Sequence, residues 1–285
     1  MIAFVTSLPH PDCCVSYRKR SEMFLDTVGS VLNQRSRDLR VVVVINSPLE
    51  CDLPADSRIE VVQVGFPPAT SLHRPSRVGI EADKGAKLGV GASAAMRHGP
   101  THLMFVDSDD FIHRDIAALA AAEPSHAGWF FDSGYLHQKG SRSVRLMTHD
   151  FHQQNGSSHV MRADLLAVPD DIEPSIDRDE VSSRIGRGAT SRTMGRHRPI
   201  TEFFEEIGAP LTPLPFPGAL WEIGTGENSS GILAGSGARM KLSDAIVADF
   251  GISLPNVTTA VAQAAHHAGT RAGRRAASLI HRRFQ

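Results

Sequence analysis

The chain has little of several things that mark particular protein classes. Among its 285 residues there are three cysteines, Cys13, Cys14 and Cys51. An odd number without C-x-x-C spacing argues against a disulfide framework and against a structural zinc. Reduced thiols in a cytoplasmic protein are the expectation. Net charge is nearly absent too: 30 Lys and Arg stand against 31 Asp and Glu, giving a formal charge of −1. No global field draws such a chain to nucleic acid. Long apolar runs are missing, and none approaches the length of a membrane span. Met1 leads straight into Ile2–Val5 with no basic stretch before it, so no signal peptide is expected.

What is present fits a soluble globular protein. Apolar residues make up 41% and charged residues 21%, and the length suits one large α/β domain or one with a small appendage. Ile2–Ser7 (IAFVTS), Leu39–Ile45 (LRVVVVI), 59–64 and Leu103–Val106 read as buried strands. Between them, Tyr17–Gln34 places Phe24, Val28, Val31 and Leu32 at helical spacing, and Lys84–His98 does the same with Leu88, Ala92, Ala95 and Met96. Phe66–Val78, with three prolines, reads as a loop. This alternation over residues 1–110 implies a parallel sheet with crossover helices. Ligands of such sheets sit beyond the carboxyl ends of the strands. The second half is less regular. Gly128–Leu136 and Ser143–Met147 read as strands, Ser158–Leu166 as a strand running into a helix, and Thr201–Ile207 as a short helix. Asp170–Arg192 is polar and reads as a mobile stretch, and 211–237 as a loop able to order around a ligand.

The sharpest signal is His102–Asp110 (HLMFVDSDD). Side chains two apart in an extended chain point the same way. Asp107 and Asp109 can therefore converge just past a buried strand, at a cost unless a positive charge lies between them. Mg²⁺ or Mn²⁺ takes oxygen ligands and completes its shell with substrate phosphates. The alternative is a turn in which Asp109 or Asp110 caps a helix from His113. Position after the fourth strand favours the metal.

The chain resembles the family 2 glycosyltransferases of the GT-A fold. The resemblance rests on the opening strand Ile2–Ser7, on Ser30-Val-Leu-Asn-Gln34, on the strand Val41–Ile45, on the helix from Lys84 and on Phe105-Val-Asp-Ser-Asp-Asp110. It covers about residues 1–165. It implies an α/β fold with a mostly parallel central sheet flanked by helices, and an irregular C-terminal region. It implies a nucleotide-diphosphate sugar donor, a UDP-sugar favoured, and an acceptor that is a saccharide, a lipid-linked compound or a small molecule. It divides the chain into a donor-binding half (1–110), an acceptor-binding half (111–250) and a basic tail (251–285). Thr6, Ser7 and Leu8 would lie against the nucleoside. Asn46 stands where the family usually has an aspartate. Asp83 would fall near the uracil or ribose, or else cap the helix after it. Lys87 would face the diphosphate, although a solvated helix face is the alternative for at least one of Lys84 and Lys87. Asp107 and Ser108 complete the donor contacts, and Asp107 and Asp109 hold the metal.

For an inverting transfer the family places an acidic base after the aspartates. Glu202, then Glu205, in the stretch Gly195–Glu206 is the candidate. A carboxylate complementing a helix dipole is the plainer reading of either. His197 is the candidate third metal ligand, and Arg196 and Arg198 could neutralise a diphosphate. Trp221 could be a sugar platform or a core residue. Gly224, Gly226 and Gly231 would let a loop close over the donor. The tail from Val257 to Phe284 reads as a helix with several arginines that could touch an anionic membrane. A solvated helix end or a homodimer contact has the stronger claim, since its apolar face is mostly alanine. Two other functions share this sheet. A sugar-phosphate nucleotidyltransferase needs a Gly-rich loop after the first strand, and Leu8–Ser16 holds no glycine. A non-catalytic nucleotide-sugar-binding module would not need the intact pair of aspartates.

Overall fold

The computed structural model describes residues 1–69, 76–226 and 237–252. The basic tail from residue 253 onward and Gly231 lie outside these residues. The first strands follow the sequence pattern closely. They are β1 (Ile2–Ser7), β2 (Leu39–Ile45), β3 (Ile59–Gln63) and β4 (His102–Val106), joined by the helices α1 (Tyr17–Leu32) and α2 (Arg77–Met96). Then come β5 (Asp110–Ile112), α3 (Ile116–Ala122), β6 (Gly128–Phe130), β7 (Gly134–Gln138), β8 (Ser143–Met147) and β9 (His159–Arg162). The remainder holds α4 (Arg178–Ile185), the short α5 (Arg187–Ala189), a π-helical turn over Thr190–Gly195, α6 (Ile200–Glu206), β10 (Thr212–Pro213), β11 (Ala219–Ile223), β12 (Ala238–Lys241) and α7 (Asp244–Phe250). No helix among the described residues is long and apolar enough to cross a membrane.

The main sheet has the order β10-β6-β9-β4-β1-β2-β3. Strands β4, β1, β2 and β3 run parallel, and β9 enters antiparallel beside β4. Period-two alternation sends the two sets of strand side chains to opposite faces. Phe4, Val41, Val43, Met104 and Val106 join the core under α1 and α3. Ala3, Val5, Val42, Val44, Leu103 and Phe105 join the core under α2, α4 and α6. Burial on both faces explains why these strands read as continuous apolar runs. A second sheet, β12-β8-β7-β11-β5, stands beyond the carboxyl end of β4. Its strand β5 pairs antiparallel with β11, with Trp221 opposite Asp110. The aspartates therefore sit where the chain passes from one sheet to the other.

Four segments differ from their sequence expectation, the first being 211–237, where the strands β10 and β11 replace part of the expected loop because Ala219–Ile223 is buried in the second sheet. Helix α2 begins at Arg77, and Ser76 caps it by accepting the Gly79 N–H at 3.1 Å. Asp83 is thus inside the helix and does not cap it. The Gly128–Leu136 run is broken into β6 and β7, which belong to different sheets. Part of the polar stretch Asp170–Arg192 is helical, because Val181 and Ile185, four apart, bury against α2.

Candidate active site

The chain order reverses at β1: β2 and β3 lie on one side and β4 on the other. A crevice opens at such a switch point, outside the carboxyl ends of the strands. Thr6 is in register with Val106. Ser7 and Asp107 therefore leave adjacent strands side by side.

The segment after the aspartates is fixed by the S-V-L-N-Q motif. Ser30 Oγ accepts the Ile112 N–H at 2.8 Å and donates to the Ile112 carbonyl at 3.2 Å. Gln34 donates to the His113 carbonyl at 2.9 Å and accepts the Ala117 N–H at 2.8 Å. Ser30 on α1 and Gln34 just beyond it thus clamp the end of β5 and the chain that follows it, downstream of the turn bearing Asp107–Asp109. No helix starts at His113, and neither Asp109 nor Asp110 is a cap. The nearest helix, α3, begins at Ile116 after Asp115.

The three carboxylates have distinct partners. Lys84 Nζ makes an ion pair with Asp107 Oδ1. Arg20, buried on α1, lies 3.5 Å from Asp109 Oδ2. Asp110 Oδ2 accepts from Ser157 Oγ at 2.6 Å and from Asn155 Nδ2 at 2.8 Å, while its buried Oδ1 has no hydrogen-bond partner among the described residues. Ser157 Oγ also accepts the Asp107 N–H at 2.8 Å. Gly156 lies beside it, and a Cβ there would meet the Asp107 carboxylate.

Burial raises all three acids, and their neighbours decide the outcome. For Asp107 the Lys84 ammonium more than offsets burial, so its carboxyl is held below the usual range. For Asp109 burial dominates, Arg20 offsets part of it and Asp107 adds repulsion, leaving it at about 6. Asp110 is pushed well above the usual range by burial and then by Asp109 and Asp107. Lys84 is raised: burial pulls it down, but Asp107 reverses this. A cleft lies against Lys84, Gly156, His159, Thr193, Arg196 and His197. His197 is pushed down to about 4, first by burial and then by Lys84.

Among the described residues, no three His, Cys, Asp or Glu side chains are gathered as a metal-binding group. The donor chemistry nonetheless suits a hard divalent cation. Asp107 and Asp109 offer carboxylate oxygens, Asp110 adds an unpartnered one, and neutral His197 lines the same cleft as Lys84.

The other candidates divide. Thr6 and Asn46 stand at the ends of β1 and β2, and Thr6 Oγ1 and Asn46 Oδ1 are buried with no hydrogen-bond partner among the described residues. Asn46 Nδ2 donates to the Phe66 carbonyl at 2.8 Å. Ser7 is half-buried, Leu8 and Ser108 buried. Lys87 is turned inward: its Nζ lies 2.7 Å from Asp83 Oδ2 and donates to the Leu8 carbonyl at 2.9 Å. Asp83 also accepts from Arg178 Nε at 3.0 Å. Both residues are therefore engaged within the protein, where they fix the chain at Leu8, and it is Lys84 that faces the aspartates. Helix α6 buries Ile200 and Phe204, four apart, so Glu202 and Glu205 point to solvent. Glu202 lies 3.9 Å from Arg192, outside the cleft. Neither glutamate lines the cleft that holds Lys84 and His197. Trp221 packs in the core. Sequence reasoning missed Arg20 and Glu222. Glu222 is buried on β11 with Lys139 Nζ at 2.8 Å and His137 Nδ1 at 3.3 Å, and its charge reaches Asp109. Its neighbour Trp221 pairs with Asp110 across the second sheet, a long-range pairing that no local motif signals.

No family model and no curated protein sequence matches the chain. Among solved structures, it is similar to S. aureus TarS 1–349 in complex with UDP-GlcNAc, at 13% identity and a TM-score of 0.43 over 82% of this chain and 61% of that one. A second structure of TarS 1–349 gives 12% identity and a TM-score of 0.39, with 78% and 60% covered. A protein of Desulfovibrio desulfuricans G20 assigned as a nucleotide-diphospho-sugar transferase gives 14% identity and a TM-score of 0.35, with 78% and 80% covered. The chain thus spans about three fifths of the length of the TarS structures. Likenesses this distant leave the question of activity to the site itself.

Proposed function

We propose that the protein transfers a sugar from a nucleotide-diphosphate sugar, a UDP-sugar favoured, to an acceptor hydroxyl. One observation carries the reading: three aspartates follow β4 at the switch point of a parallel sheet, beside the carboxyl end of β1. Thr6 Oγ1 and Asn46 Oδ1, both lacking a described partner, are suited to receive donor groups of a nucleoside. Asp107 and Asp109, with His197 as the third candidate, would hold Mn²⁺ or Mg²⁺. When bound, that ion supplies neutralisation of the charge that develops on the leaving diphosphate. The protein groups keep the carboxylates aimed: Arg20 on Asp109, Ser157 on the Asp107 backbone and on Asp110, and the α1 clamp on β5. Inversion at the sugar carbon is part of the proposal on family resemblance alone.

The test is turnover of a panel of nucleotide sugars, read as release of nucleoside diphosphate with and without Mn²⁺. Release from at least one donor, lost in Asp107→Asn, is expected. A panel with no release and no donor binding overturns the reading.

A further inference from the structure

Asp107 is already paired. Its Oδ1 holds the Lys84 ammonium, and its Oδ2 lies over Gly156, where an added Cβ would meet it. A cation approaching Asp107 therefore meets an ammonium already in place. The ammonium belongs to a long, partly exposed side chain on the wall of a cleft that Thr193, Arg196 and His197 also line. Lys87, nearly one turn further along α2, cannot replace it, because its Nζ is tied to Asp83 and to the Leu8 carbonyl. The helix itself is held: Gly85 packs on Gly195 so closely that an added Cβ would come 3.2 Å from the Gly195 nitrogen.

Two of the carboxylates at this point already have a cation beside them. Asp107 faces Lys84, and Asp109 faces Arg20. A divalent cation arriving alone would put its charge next to a lysine ammonium on one carboxylate, and like charges at that distance repel. A diphosphate arriving with the cation removes the conflict, since it offers the displaced ammonium new oxygens.

We propose that Lys84 is the resident counter-ion of Asp107, that a divalent cation must displace its ammonium to bind, and that the freed ammonium then pairs with the donor's diphosphate. This rests on the nucleotide-sugar reading above. It makes the cation and the diphosphate bind cooperatively, each strengthening the other by the same factor.

The test titrates Mn²⁺ alone, and Mn²⁺ with UDP, into the full chain, followed by the electron paramagnetic signal of free Mn²⁺. Wild type is compared with Lys84→Met, Lys84→Gln and Lys84→Arg, each checked for a cooperative melting transition. Lys84→Met and Lys84→Gln should bind Mn²⁺ alone at least about fivefold more tightly, the low end of the usual range for coupled sites. They should also lose most of the gain that UDP gives to Mn²⁺ in wild type. Lys84→Arg, which keeps the charge, should stay near wild type. Equal or weaker Mn²⁺ binding in both Lys84→Met and Lys84→Gln overturns the inference, as does the absence of Mn²⁺ binding in every form. If Mn²⁺ binding is unmoved while nucleotide sugars still turn over, this inference falls and the transferase reading stands. If Mn²⁺ tightens as expected but no nucleotide sugar binds or turns over, the competition at Asp107 stands and the transferase reading falls.

Discussion

Asp109 is ionised at neutral pH against the preference of its surroundings. Burial raises its carboxyl from 3.8 to about 6, and Arg20 offsets only part of that. Its folded value lies above its unfolded one, so the folded state binds more protons between about pH 4 and 6. Stability from this group is present at low pH and lost as pH rises through that window. Asn at this position resembles the protonated acid. Without metal, Asp109→Asn should therefore be more stable than wild type above pH 6, by at most about 3 kcal/mol, and match it near pH 4. Denaturant unfolding at both pH values checks this, and an Asp109→Asn protein less stable at pH 7.5 would contradict it. The same substitution should abolish metal-dependent turnover. Glu202 behaves oppositely at the scale of one side chain. It lies on the solvent face of α6 with Arg192 at 3.9 Å. Exposed pairs of this kind contribute little, so Glu202→Gln should leave kcat and KM for donor and acceptor within about twofold of wild type, an order-of-magnitude bound from the small effects of such surface changes. A loss of kcat of the size expected on removing a general base would put that glutamate back in the chemistry.

At the scale of elements, the parallel strands were legible because their signal is local. Residues 41–45 are apolar on both faces, and only a strand buried on both sides needs that. The aspartate turn was legible for the same reason, lying directly after such a strand. The helix face of α2 was not. Lys84 and Lys87 are three apart, and periodicity alone cannot say which one turns inward. Asp83 decides it by drawing Lys87 into an ion pair four apart, beneath Leu8. Nor does a sequence show that Ile200 and Phe204 take the inner face of α6, sending Glu202 and Glu205 outward. The π-helical turn Thr190–Gly195 was also hidden, since its reason is a contact with α2 over a hundred residues earlier in the chain. A Cβ at Gly195 would come 2.8 Å from the Glu81 carbonyl oxygen, a backbone atom that cannot swing aside. Gly195→Ala should thus push the π-turn off α2 and cost about 1–3 kcal/mol, the usual range for overpacking. Because Arg196 and His197 follow directly, it should also disturb the cleft. Equilibrium unfolding beside Mn²⁺ titration tests both parts, and full stability with unchanged Mn²⁺ binding would show that the crossing has slack.

For the whole molecule, the site lies where the chain crosses between two sheets that share a buried core, Leu136, Met147, Trp221 and Ile223 of the second packing in one cluster with Phe4, Met104 and Val106 of the first, and that arrangement sets how a ligand couples to stability. Asp107 hangs from the main sheet through β4, and Asp110 opens the second sheet by pairing with β11. Arg20 and Ser30 reach the same stretch from α1, Lys84 from α2, and Asn155 and Ser157 from the loop before β9. A donor with its cation would therefore touch groups anchored in both sheets and both major helices, and unfolding any of these would release it. A ligand that binds only the folded state adds RT ln(1 + [L]/Kd), about 2.7 kcal/mol at a hundredfold excess over Kd. For a chain of this length that should raise the melting temperature by several degrees, on the order of 2–4 °C per kcal/mol. The correct nucleotide sugar should thus shift a single cooperative transition, with a larger shift when Mn²⁺ is present than the separate shifts of donor and Mn²⁺ would sum to. Asp109→Asn should start from a higher melting temperature than wild type at pH 7.5 and gain almost nothing from the same additions. The order of the two proteins would then reverse on loading. Melting curves of both, alone and with Mn²⁺ and the donor, make the comparison. If Asp109→Asn gains as much as wild type, the aspartate does not hold the ion and the metal is bound elsewhere. If loading splits the transition in two, the sheets unfold separately and the site does not join them.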